Sequence, residues 1–194
     1  MARFLVLFLL LYSNTQAQYY RLSYTPASLP ELYNTIHLQL EHVNADSTVT
    51  PVRGNYRLIP HHGNIKKSEY TFNYYDLYEN DGKLTFDVIH AGDTSTVVLG
   101  LPIMTGLRFN LYTDSIKPVM NYYINVEGTF SNGKTFPVDT AFLRLSCSSG
   151  SMQGMEWRKP AKITFDKVTF TAISKYAPVL AIDTTLYLRK EYEE

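Results

Sequence analysis

Five histidines, one cysteine and a scatter of carboxylates are the residues of this chain whose chemistry could go beyond packing. His61-His62 follows Pro60 and precedes Gly63, and His90 ends a strand that carries Asp87. The three imidazoles could reach one metal, but no zinc-type spacing joins them. His37 and His42 are five residues apart on one strand and so face opposite ways. Asp76 and Asp87 are a sharper pair. If Asp81-Gly82 is a two-residue hairpin turn, Asp76 stands across the ladder from Asp87, where like charges destabilise. A cation bridging both would relieve the repulsion, yet two carboxylates are far short of a calcium shell. No metal set and no cofactor is assigned.

Covalent chemistry has less to work with. Cys147 is the single cysteine, with no neighbouring base of the Cys-His kind. It is expected to be an inert thiol, with an intermolecular disulfide as the alternative. Ser148-Ser149-Gly150-Ser151 has hydroxyls but no nucleophile elbow. Glu127 and Asp139 fall on different faces of their expected hairpin, which is not the arrangement of a glycosidase pair. A Gly-rich phosphate loop and a dinucleotide fingerprint are both missing. The expectation is a non-catalytic protein.

Tyrosine is the informative excess, with sixteen in the chain. Such a side chain works where one end is apolar and the other wet. Tyr74 and Tyr78 share the outer side of the first expected ribbon with Asp76 and Asp87, a surface that could stack on a sugar ring or centre a protein contact. Leu101, Ile103 and Met104, in the apolar connection 99–107, either tuck under the sheets or meet a partner. These seven residues are the candidate ligand or partner contacts.

The elements that must carry them are strands. Short runs rich in Tyr, Val, Ile, Thr and Phe alternate with turn residues, and no helical stripe exceeds two turns. Strands are expected at 19–24, 35–43, 54–59, 70–78, 83–89, 94–99, 107–112, 122–130, 135–145, 161–174 and 181–188. Ser28 to Tyr33 allows one helical turn. The fold class is all-β: an antiparallel β-sandwich of two packed sheets with roughly ten strands, and long hairpins at 70–90 and 120–145. In the first hairpin Tyr75, Leu77, Leu84, Phe86 and Val88 share the core side. In the second, turning at Asn132-Gly133, Met120, Tyr122 and Ile124 pair with Leu145, Leu143 and Ala141. That register leaves Val138 misplaced, which calls for a bulge near Pro137, and Pro137 marks an edge strand open to strand addition.

The amino terminus reads as a signal peptide. Arg3 precedes the apolar run Phe4 to Tyr12, too short to span a bilayer as an ordinary helix, and Ala17 suits a peptidase. Removal of residues 1–17 leaves 18–194 as one β-sandwich domain, or as two small β domains split near 114–118. With Arg3 gone, 17 basic side chains meet 18 acidic ones, a balance that favours no nucleic acid partner. No membrane span is expected after cleavage, and no Asn-x-Ser/Thr acceptor is present. The chain is expected in the periplasm, at the cell envelope or outside the cell. Its expected role is protein interaction or assembly, with a protein partner or self-association. The alternatives are carbohydrate or small-molecule binding through exposed tyrosines, and a small lipid held between the sheets.

Overall fold

The computed structural model describes residues 18–117 and 121–189. The leader, the Met120 end of the second hairpin and the charged residues 190–194 lie outside the described residues. The first half forms β1 (Tyr19–Tyr24), β2 (Thr35–Val43), β3 (Val49–Pro51) and β4 (Tyr56–Pro60). After β5 (Asn64–Lys66) and β6 (Glu69–Thr71) come helix α1 (Tyr74–Glu79), β7 (Lys83–His90) and β8 (Asp93–Gly100). The second half runs through β9 (Met104–Phe109), β10 (Ser115–Ile116), β11 (Tyr122–Tyr123), β12 (Val126–Phe130) and β13 (Thr135–Val138). It finishes with β14 (Leu143–Cys147), β15 (Ser151–Gln153), β16 (Glu156–Arg158), β17 (Lys167–Ser174) and β18 (Ala181–Leu188).

The fold is all-β, with largely antiparallel strands in several packed sheets. Among the described residues, five sheets replace the expected two: β1-β2-β6-β5 with β3 on β2, β4-β7-β8, β13-β12-β9, β10-β18-β17-β14 and β11-β16-β15. The pair β10–β18 is parallel. Buried apolar side chains gather into two clusters. One unites Leu22, Ile36 and Leu40 of β1 and β2 with Leu84, Phe86 and Val88 of β7, and with Leu77 of α1. The other unites Val126, Phe130 and Val138 with Trp157, Val168, Phe170 and Leu186. Each cluster draws side chains from more than one sheet, a sandwich-like arrangement.

The expected hairpin at 70–90 does not form. Tyr74–Glu79 is a helix, so Asp76 is not on a strand, and the ladder partners of Asp87 are Ile59 and Thr96. The Asn73 side chain caps the helix by accepting the Tyr75 N–H at 2.9 Å. Gly82 N–H closes its far end on the Leu77 carbonyl at 2.8 Å. Asp81 (φ 52°) and Gly82 (φ 76°) do take the left-handed backbone that a tight hairpin turn needs, but here they end a helix. As a strand the segment would put Leu77 inward and Tyr74 and Tyr78 outward. As a helix it places all three on one face, at i, i+3 and i+4.

The second hairpin is shorter and slipped by one residue. Phe130 N–H bonds the Lys134 carbonyl at 2.9 Å and Gly133 N–H the Phe130 carbonyl at 2.8 Å, so Ser131-Asn132-Gly133 is a three-residue loop. Val138 then opposes Val126, both buried, and no bulge is needed at Pro137. Leu143–Cys147 leaves the hairpin to pair with β17, while Tyr122 and Tyr123 pair with β16. β13 is the outer strand of its sheet, the edge expected from Pro137.

Candidate functional site

Two side chains of one short helix join the two apolar clusters. Tyr74 and Tyr78 of α1 are half-buried and pack against both apolar clusters. The Tyr74 ring lies 5.3 Å from Phe72, 5.1 Å from Phe142 and 5.0 Å from Tyr176. Tyr78 stands 5.8 Å from Tyr176, and its hydroxyl accepts the Met104 N–H at 2.8 Å. Burial raises the Tyr78 phenol to about 12 although that hydrogen bond lowers it. Burial also raises Tyr74, helped by Tyr176, Tyr78 and Glu31. Among the described residues, the buried Tyr74 hydroxyl has no hydrogen-bond partner. These two tyrosines, expected on a wet ribbon face, join the two clusters; the strand reading exposed them because it used the wrong period.

Glu31 adds a polar tie at the same junction. It is fully buried in the turn after β1, where the Tyr33 N–H reaches the Leu29 carbonyl at 2.9 Å, the single helical turn expected at 28–33. Its Oε1 accepts from Asn132 Nδ2 at 2.7 Å and pairs with Lys134 Nζ at 2.9 Å, so the turn is bound to the β12–β13 loop. Burial alone would raise the carboxyl pKa. The hydrogen bonds from Asn132 and Lys134 outweigh it, and the net direction is down.

The remaining candidates separate. Asp76 Oδ2 lies 3.8 Å from His62 Nδ1, and Asp87 Oδ2 lies 3.2 Å from His61 Nε2. Thr96 also donates to Asp87 at 3.0 Å. The facing carboxylates are thus a correction: each aspartate meets one member of the histidine pair, because α1 and β7 approach that loop from different elements. His90 Nδ1 is 2.9 Å from the Tyr20 hydroxyl, apart from the other two imidazoles. Among the described residues, no group of three or more His, Cys, Asp or Glu is placed to hold a metal ion. Leu101 and Met104 are buried, one in each cluster, and Ile103 packs against the first. Leu101 and Met104 thus serve the interior, and Ile103 is half-buried.

Two further groups are held for structure. Glu127 is held low by Arg108, whose Nε donates at 2.6 Å, and by Asn110 at 2.7 Å. A carboxylate kept ionised in this way is poorly suited to deliver a proton. Burial raises the free Cys147 thiol despite a bond from the Ser149 backbone, so little thiolate is present near neutrality.

What the helix turns outward is aromatic. Tyr75 is 59% exposed, and its ring meets Tyr176 edge-on at 5.0 Å. Tyr176 stands in the β17–β18 turn, closed by the Leu180 N–H on the Ala177 carbonyl at 2.8 Å. The same turn projects Val179, 89% exposed. The strand reading missed Tyr75 and Tyr176; the signal for them was the helical spacing of Tyr74, Leu77 and Tyr78 behind an Asn73 cap.

No protein-family model matches the chain, and no curated protein matches it. Among solved structures it is similar to domains 4 and 5 of the S-layer protein SbsC, at 11% identity and a TM-score of 0.30, over 89% of this chain and 98% of that one. It is also similar to the N-terminal part of the bacterial S-layer protein SbsC, at 12% identity and a TM-score of 0.38. That match covers 88% of this chain and 44% of the other. With scores this low, the likeness carries neither a shared chain path nor a function. Among the described residues, no helix is long and apolar enough to cross a membrane.

Proposed function

We propose that this chain is an exported, non-catalytic all-β protein that works by protein contact, assembling with further copies of itself or with a protein partner at the cell envelope or outside the cell. Export follows from the leader-like residues 1–17. The observation that carries the contact reading is the exposed Tyr75 and Val179 beside the half-buried Tyr176. Aromatic side chains on a rigid backing are what protein interfaces favour at their centres. Here the backing is Tyr74, Tyr78 and Phe142, packed behind Tyr176. Once residues 1–17 are removed, 17 basic side chains against 18 acidic ones leave little net repulsion between copies.

Strand addition at β13 is the weaker route. The Phe130–Lys134 bond sets the ladder so that the backbone groups of Thr135 and Pro137 point away from β12. Proline brings no N–H to that outer row. The Asp139 carbonyl is already taken by the N–H groups of Phe142 and Leu143. An added strand would find too few groups to bond.

Light scattering of residues 18–194 over rising concentration tests the proposal. The expected result is a mass that climbs to a whole multiple of the monomer, while Val179→Asp and Tyr75→Ala remain monomeric with unchanged circular dichroism. A monomer at every concentration that also retains no stoichiometric protein from its native extract overturns the reading.

A further inference from the structure

A cleft of about 450 Å³ opens where the turn after β1 meets the open end of the β12–β13 hairpin. Its size lies within the range of small-molecule sites, roughly 300–1,000 Å³. Buried Phe142 and Met155 contribute to its apolar lining. Tyr33, 63% exposed, and Tyr123, 55% exposed, line it from different elements. Asn125 and Asp139 bring an amide and a carboxylate. The lining stands on ordered backbone: Tyr33 N–H is bonded to Leu29, Tyr123 pairs with Glu156, and the Asn125 carbonyl accepts the Asn110 N–H at 2.9 Å. The Ala141 N–H donates to Asp139 Oδ1 at 2.7 Å, which orients the carboxylate.

We infer that this cleft is a binding site for a neutral sugar. A pyranose has an apolar face of C–H groups that stacks on an exposed phenol ring, and a rim of hydroxyls that an amide and a carboxylate can bond together. The one charged side chain among the lining residues is Asp139, and no lysine or arginine is among them. A phosphate or a uronate would meet repulsion with no counter-charge among the lining residues, which disfavours an anionic ligand. The site goes beyond the protein-contact reading: it adjoins Tyr176, which packs on Phe142 and donates to the Ala141 carbonyl at 3.2 Å, but Tyr75 and Val179 are not among its lining residues.

Saturation-transfer NMR on residues 18–194 tests it, with methyl glucoside, methyl galactoside, methyl mannoside and chitobiose as probes and tetramethylammonium as the cationic comparison. The expected result is transfer to the ring protons of at least one sugar. Tyr33→Ala and Tyr123→Ala should each weaken that sugar roughly tenfold, and Tyr75→Ala should leave it unchanged. Both cleft tyrosines are exposed, so their variants keep the fold, which near-UV circular dichroism checks. Absence of transfer to all four sugars, transfer to tetramethylammonium in their place, or wild-type affinity in both cleft variants overturns the inference. Association in light scattering is read separately, so either proposal can fail without the other.

Discussion

Two tyrosines on the same face of one helix turn have opposite hydrogen-bond accounts. The Tyr78 hydroxyl satisfies the Met104 N–H, whereas the buried Tyr74 hydroxyl finds no partner among the described residues. Removing an acceptor from a buried donor costs about 1–3 kcal/mol, and removing an unsatisfied hydroxyl costs little or is a gain. Tyr78→Phe is therefore expected to lower stability by about 1–3 kcal/mol, and Tyr74→Phe to change it by less than about 0.5 kcal/mol or to raise it. Urea unfolding of the two variants beside the wild type decides this; equal losses would refute the hydrogen-bond account. Composition pointed to tyrosine as the informative residue. It could not say which tyrosines were wet, because that depends on the period of the element carrying them.

At the scale of elements, α1 shows how one local signal serves two structures. Asp81-Gly82 is a hairpin signal because both residues tolerate positive φ, and a helix that ends in left-handed backbone needs the same property. Gly82 has a second constraint: a Cβ added there would lie 2.5 Å from the Leu101 carbonyl oxygen. Gly82→Ala should thus cost about 2 kcal/mol or more, from left-handed strain together with the clash. At Gly92 (φ 92°), in the β7–β8 turn, a Cβ meets open space. Gly92→Ala should cost only the strain, about 1–2 kcal/mol. Thermal melts of both variants test the difference, and a Gly82→Ala protein as stable as Gly92→Ala would refute the close approach to Leu101. Strands β1, β2, β7, β8 and β18 were legible from alternation and flanking turns. The Asn132-Gly133 loop was legible as a turn, but its length, and hence the register of Val138, was not.

For the whole molecule, the question is whether the two clusters act as one. Tyr74 and Tyr78 touch both, and Glu31 ties the first turn to the Asn132 and Lys134 loop. Trp157, the single tryptophan, is buried in the second cluster. Its fluorescence and the far-UV signal of all strands should therefore give one midpoint. Glu31→Ala should lower that midpoint by roughly 4–8 °C, for a loss of about 2 kcal/mol. The loss stays below that of a fully buried broken pair because the Lys134 side chain is 49% exposed and can turn to water. The carboxyl pKa of Glu31 is lowered in the folded protein. Its stabilisation is complete above the ordinary carboxylate range and is lost as pH falls through the lowered value. The wild-type melting temperature should thus drop more steeply on acidification than that of Glu31→Gln. Separate midpoints for tryptophan and far-UV signals would show clusters that unfold independently.

The sequence alone determined the all-β class, the location of most strands and the tyrosine-rich character, since alternation, β-branched runs and turn residues act over a few neighbours. It also carried the leader-like segment and the balance of charge. Only the tertiary structure decided that 74–79 is a helix, that five sheets enclose two clusters, and that Asp76 and Asp87 meet separate histidines. It alone placed Tyr33 and Tyr123 on one cleft. The physical reason is range: a six-residue segment has too little local energy to choose between helix and strand, and the choice passes to which face can bury Leu77 with Tyr74 and Tyr78 against partners distant in the chain.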